Sequence, residues 1–191
     1  RLNEMPLSLK PFANLLPRGG SSRPANHLYD AIMAQARLPI YYQRLGVPDT
    51  LEGRFSVLTI HLFAVFRRLK GAGPEAAAIA QDLSDRFVAD MDTVLREVGV
   101  GDLSVPKKVR KLAASGATLI ESYNLAADAS ENALETEIAA NLPLDKEMAG
   151  TVSARLTPSV KAMLQALEDQ PIEAICAGRL QFPEIQTDLG S

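Results

Sequence analysis

The segment from Leu51 to Lys70, LEGRFSVLTIHLFAVFRRLK, restricts the possible folds more than any other part of the chain. Phe55, Leu58, Leu62, Phe66 and Leu69 recur at helical spacing and make one apolar stripe. Val57, Ile60 and Ala64 make a second stripe on another side of the same helix. One neighbour cannot cover both sides, so this helix belongs at the centre of a bundle. No strand-length alternating run competes with it, and no internal repeat is visible. Aromatics make up only 5% of the chain and Trp is absent, while Ala and Leu recur, which suits helix-on-helix packing better than a sandwich or barrel. The expected fold is all-α: an irregular bundle of seven to eight helices around a central buried helix at 51–70. The loop near residue 100 is a candidate division into two lobes.

Helix punctuation supplies the rest. Asn26 is an expected N-cap for a helix through Arg37, with Leu28, Ile32, Gln35 and Ala36 inward. Pro39 starts a short second helix that ends near Gly46. Asp49 or Thr50 caps the central helix. Gly71-Ala-Gly-Pro74 stops it and opens another, in which Ile79, Leu83, Phe87, Met91, Val94 and Val98 recur up to Gly99. Ser104 is a candidate cap, with Pro106 in the first turn of a helix through about Asp128. Further helices are expected over 130–141, from Asp145 to about Leu167 with a bend or break at Pro158, and from Pro171 to Leu180. Residues 1–24 include LPRGGSSRP, which resembles a protease-site linker, and are read as a leader outside the fold. One helical domain is expected over 25–185, and a disordered tail over 186–191.

Charge and cysteine usage narrow the function classes. A formal net charge of −3 over 191 residues argues against a general electrostatic grip on nucleic acid, so no specific nucleic-acid partner is expected. Cys176 is the only cysteine, which excludes an intrachain disulfide and suits a reducing compartment. The most apolar window, Val57–Phe66, is ten residues long and contains His61, whereas a bilayer span needs about 20 apolar residues. A cytoplasmic protein is expected, with the inner face of the cytoplasmic membrane as a peripheral location.

Residues that could carry chemistry do not assemble into a catalytic set. No Ser-His-Asp order, CxxC pair, phosphate loop or HExxH is present. His61 lacks a partner at i+4, where Val65 stands, and is read as a satisfied, partly buried histidine. Asp82 and Asp85 form a DxxD pair of the kind that holds magnesium, but without a second acidic motif they read as a solvated acidic face. No catalytic residue, metal site or cofactor is therefore expected, and the protein is read as a non-enzyme. Lys107, Lys108, Arg110 and Lys111 crowd a helix start, where each cation opposes the macrodipole by about 0.3–1 kcal/mol. Either Asp102 and the preceding acidic helix neutralise them, or they meet an acidic partner, lipid headgroups or RNA. Arg54 is positioned to clamp the Pro-Asp turn through Asp49 or to engage a partner. Tyr41 and Tyr42 suit a core edge or a recognition surface, with one of the two facing inward.

Two stretches carry a family resemblance. RLPIYYQRLGVPDTLEGRFSVLTIHLFAVFRRL, Arg37–Leu69, holds an aromatic pair, a Pro-Asp turn and an aromatic after arginine, with a Leu-His pair inverted to His61-Leu62. FVADMDTVLREVGVGDLSVPKKVRKL, Phe87–Leu112, holds an acidic helix, a Gly-Val turn and a lysine-rich helix start. Together they resemble the ubiquinol–cytochrome c chaperone family in its bacterial-type members, over residues 27–112. Farther on, the family's aromatic-Gly-Arg-x-x-x-Tyr segment is answered by Gly116 and Tyr123 without the arginine. The resemblance implies an assembly chaperone that binds newly synthesised cytochrome b and promotes assembly of the respiratory cytochrome bc complex. Tyr41, Tyr42, Asp49, Arg54 and Phe55 are then expected to border the client surface. Lys107, Lys108, Arg110 and Lys111 are expected to face the ribosome exit region, the membrane surface or the client's termini. The competing readings are a small helical magnesium-dependent enzyme of prenyl or quinone metabolism and a ribosome- or RNA-binding module.

Overall fold

Helix α3 (Leu51–Leu69) runs through the middle of the molecule, and 13 of its residues are buried, including the polar Ser56, Thr59 and His61. The structure, a computed structural model, describes residues 22–185 other than 98, 100, 102, 103 and 131. Around α3 stand α1 (Arg23–Ala36), α2 (Ile40–Gln43), α4 (Pro74–Glu97) and α5 (Val105–Ala129). The set is completed by α6 (Ala133–Asn141), α7 (Lys146–Glu168) and α8 (Ile172–Cys176). The described residues thus form eight helices and no strand. α3 touches α1, α4, α5 and α7, which is why apolar residues occupy so much of its circumference. The buried side chains of all eight helices join in one core, with no division at the loop near residue 100.

Local chemistry sets the ends of these helices. The Thr50 hydroxyl accepts the Gly53 N–H at 3.2 Å, and Asp145 accepts that of Met148 at 3.0 Å, so both expected caps close a first turn. Glu52 at the start of α3 and Arg67 and Arg68 at its end complement the helix dipole. Arg68 also donates to Leu167 O and Gln170 O, both at 2.9 Å, and so satisfies carbonyls at the end of α7.

Three expectations need correction. α1 starts at Arg23, before Asn26, because Pro24 favours the first turn and the Ser22 N–H is held by Asp82 of α4 at 3.2 Å. Residues 23 and 24 accordingly belong to the fold, whereas 1–21 and 186–191 lie outside the described residues, as do Val98 and Asp102. Ser104 does not cap α5 through its side chain, since its hydroxyl donates to Gly101 O at 2.8 Å. Pro158 leaves α7 unbroken from Lys146 to Glu168. Pro158 has no N–H for the Ala154 carbonyl, and packing against α3 and α6 holds the helix across the proline.

Candidate functional site

The end of α1, the start of α3, the second half of α4, α5 and the α6–α7 turn enclose a groove of about 600 Å³. Its floor is apolar: Met33, Phe55, Leu58, Met91, Val94, Leu95, Leu112, Leu119, Leu142 and Pro143 line it. Arg37, Glu52, Arg54 and Asp90 add both signs of charge. On α4 the stripe that contains Met91 and Val94 borders this opening in its second half, so one helical face serves both core and groove.

Tyr42 forms one wall and is tied on several sides. Its hydroxyl donates to Ala36 O at 2.7 Å, which satisfies a carbonyl at the end of α1. The Arg54 guanidinium lies 5.5 Å from its ring centre and is bound in turn to Asp49 at 2.6 Å. Both partners of that ion pair are more than half exposed, so its contribution to stability is small, about 0–1 kcal/mol. Its effect is positional: the Pro-Asp turn delivers a carboxylate that lays Arg54 across Tyr42. Partial burial raises the Tyr42 phenol above its ordinary pKa, which keeps the hydroxyl a donor. Phe55 stands beside this wall, its ring centre 6.4 Å from that of Phe87. Behind both rings lies Gly116 of α5, where a Cβ would sit 3.4 Å from Phe87 and 3.7 Å from Phe55. The bare backbone at 116 lets both rings lie close to α5.

Tyr41 faces away from the groove and does not border it. It is 6% exposed, and its hydroxyl lies 3.0 Å from His61 Nε2. His61 Nδ1 lies 2.8 Å from the Val57 carbonyl, which can only accept, so Nδ1 carries the proton and Nε2 accepts from Tyr41. The rings of Tyr41 and Phe182 each meet the imidazole edge-on at 5.4 Å. Burial holds His61 down to about 4, so it is neutral at physiological pH, and burial lifts Tyr41 to about 12. This pair fixes the short α2 against α3 and leaves Tyr42 aimed at the groove. Asp49 lies outside the groove lining and acts on it through Arg54.

The basic cluster lies apart from these residues. Lys107, Lys108, Arg110 and Lys111 are all exposed on α5, whereas Val105, Val109 and Ala113 turn inward. None of the four pairs with a carboxylate among the described residues. The DxxD carboxylates serve the fold: Asp82 holds the start of α1, and Asp85 is buried and accepts the Gln81 amide at 2.9 Å. Asp90, next along α4, accepts the Tyr29 hydroxyl at 2.9 Å. Among the described residues, no group of three or more His, Cys, Asp or Glu is placed to hold a metal ion. No described helix is long and apolar enough to cross a membrane.

Fold and groove define an all-helical protein with an apolar cleft that has a charged, aromatic rim. Residues 43–182 match the sequence family described as Ubiquinol-cytochrome C chaperone. A solved structure, that of the Cbp3 homolog from Brucella abortus, is 32% identical and superposes with a TM-score of 0.77, covering 86% of this chain and 91% of that one. No curated protein matches the sequence. The chain belongs to the ubiquinol–cytochrome c chaperone family.

Proposed function

We propose that this chain is an assembly chaperone of the cytochrome bc complex that holds newly synthesised cytochrome b in the α1–α3–α4–α5 groove. The groove itself carries the reading. Its 600 Å³ lies within the roughly 300–1,000 Å³ of pockets that bury a compact ligand. Its apolar floor suits the side chains of one face of an amphipathic or membrane-destined helix, docked at i, i+3, i+4 and i+7. Tyr42, Arg54 and Phe55 meet that segment, while Tyr41 and Asp49 hold them in position. Action is by binding and shielding, without turnover. The protein works on the cytoplasmic side, peripheral to the membrane, where its client emerges from the ribosome.

The test is complementation of a deletion strain. Loss of the chain should remove assembled cytochrome b while other respiratory complexes persist. Leu119→Glu places a charge in the half-buried groove floor and should fail to restore assembly, although its level and helicity match those of wild type. Full restoration by Leu119→Glu would rule out the groove as the client site.

A further inference from the structure

The first two turns of α5 are built against their own helix dipole. Lys107, Lys108, Arg110 and Lys111 occupy four of five consecutive positions, and the first turn holds no acidic residue. By contrast, α3, α4, α6, α7 and α8 each place a glutamate there. All four cations are exposed, and none meets a carboxylate among the described residues. At 3.6 residues per turn they spread over the side of α5 opposite Val105, Val109 and Ala113, which are buried. Lys108 stands one turn before Leu112, about 6 Å along the axis, and Leu112 lines the groove. The charged face therefore adjoins one end of the apolar cleft.

We infer that this face of α5 is a docking surface for an anionic lipid bilayer, and that docking brings the groove beside the membrane. The inference rests on the proposed membrane-protein client only in preferring a bilayer to RNA; the charge geometry stands without it. Two features of the patch support that preference. No aromatic side chain occurs from Gly99 to Ser122, so the patch offers bases no stacking platform. Four cations in a chain whose formal net charge is −3 make a weak clamp for a polyanion, yet they suffice for reversible attachment to a surface. Each Lys or Arg near an anionic bilayer raises partition about five-fold, so four together give several hundred-fold. Among the described residues no helix can span a bilayer, so attachment through this face is peripheral.

Vesicle co-sedimentation of the full chain, without client, tests this. Vesicles of phosphatidylcholine alone and vesicles with about a third phosphatidylglycerol are compared at low and physiological salt, since attachment of this kind weakens as salt rises. Binding is expected only to the anionic vesicles. Lys107→Gln with Lys108→Gln should weaken it about 25-fold. The fourfold Gln variant should abolish it, with helicity unchanged. Lys70→Gln with Arg179→Gln, two exposed cations elsewhere, should leave most of it. Failure to bind anionic vesicles, or binding that survives the fourfold substitution, would overturn the inference. So would patch-dependent binding to a homopolymer RNA at salt where vesicles are not bound. Client capture by the fourfold variant in detergent separates this outcome from failure of the groove assignment.

Discussion

Tyr41 and His61 provide a quantitative test of how the groove wall is held. Tyr41→Phe removes the donor placed at the buried His61 Nε2, 3.0 Å away, and leaves that nitrogen without a hydrogen-bond donor among the described residues. An unsatisfied buried acceptor costs about 1–3 kcal/mol. His61→Leu removes the acceptor of the Tyr41 hydroxyl, which keeps its hydrogen bond with Gln35, and should cost less. Removing both together deletes donor and acceptor at once, so the double variant should be more stable than the sum of the singles predicts, by about 1–3 kcal/mol. Urea denaturation of the four proteins at pH 7.5 gives this coupling directly. Costs that add to within about 0.5 kcal/mol would refute the hydrogen-bonded pair. The imidazole adds a pH signature. Its pKa falls from 6.5 in the unfolded chain to about 4 in the fold, chiefly through burial, so the unfolded chain binds the extra proton between those values. The associated stability is whole above pH 6.5 and declines as pH drops toward 4, by at most about 1.4 kcal/mol per unit. His61→Leu should abolish that component of the acid slope.

Two further substitutions probe the elements that frame the groove. Gly53→Ala would drive a Cβ into the Pro48 carbonyl oxygen, a backbone atom, so the start of α3 must shift; denaturation should show a loss of about 1–3 kcal/mol, and an unchanged midpoint would contradict the close approach. Asp145→Ala removes the acceptor of the Met148 N–H and should cost about 1 kcal/mol by the same assay, whereas Asp145→Asn should retain most of the cap.

Features set within a few residues were legible in the sequence. Thr50 and Asp145 close their own first turns, and the stripes of α3 predict its burial because helical spacing alone decides which side chains share a face. Long-range partners decided the rest. The start of α1 depends on Asp82, 60 residues from Ser22. Pro158 predicts a bend or break from local rules, yet α7, packed on α3 and α6, continues unbroken through it. In the site, the Pro-Asp turn and Arg54 were legible as a clamp because Asp49 and Arg54 lie five residues apart. The choice between Tyr41 and Tyr42 was not, since α2 spans four residues and carries no periodic signal; His61, 20 residues on, makes it. Val94, Leu119 and Pro143 read as ordinary bundle residues, and they became a groove only when three elements met.

Photo-crosslinking in living cells tests the central claim most directly. A photoreactive phenylalanine analogue at position 42 or 94, both in the groove lining, should capture newly synthesised cytochrome b, and the same probe at exposed Arg179 should not. Capture at 179 with silence at 42 and 94 would contradict the groove as the client site.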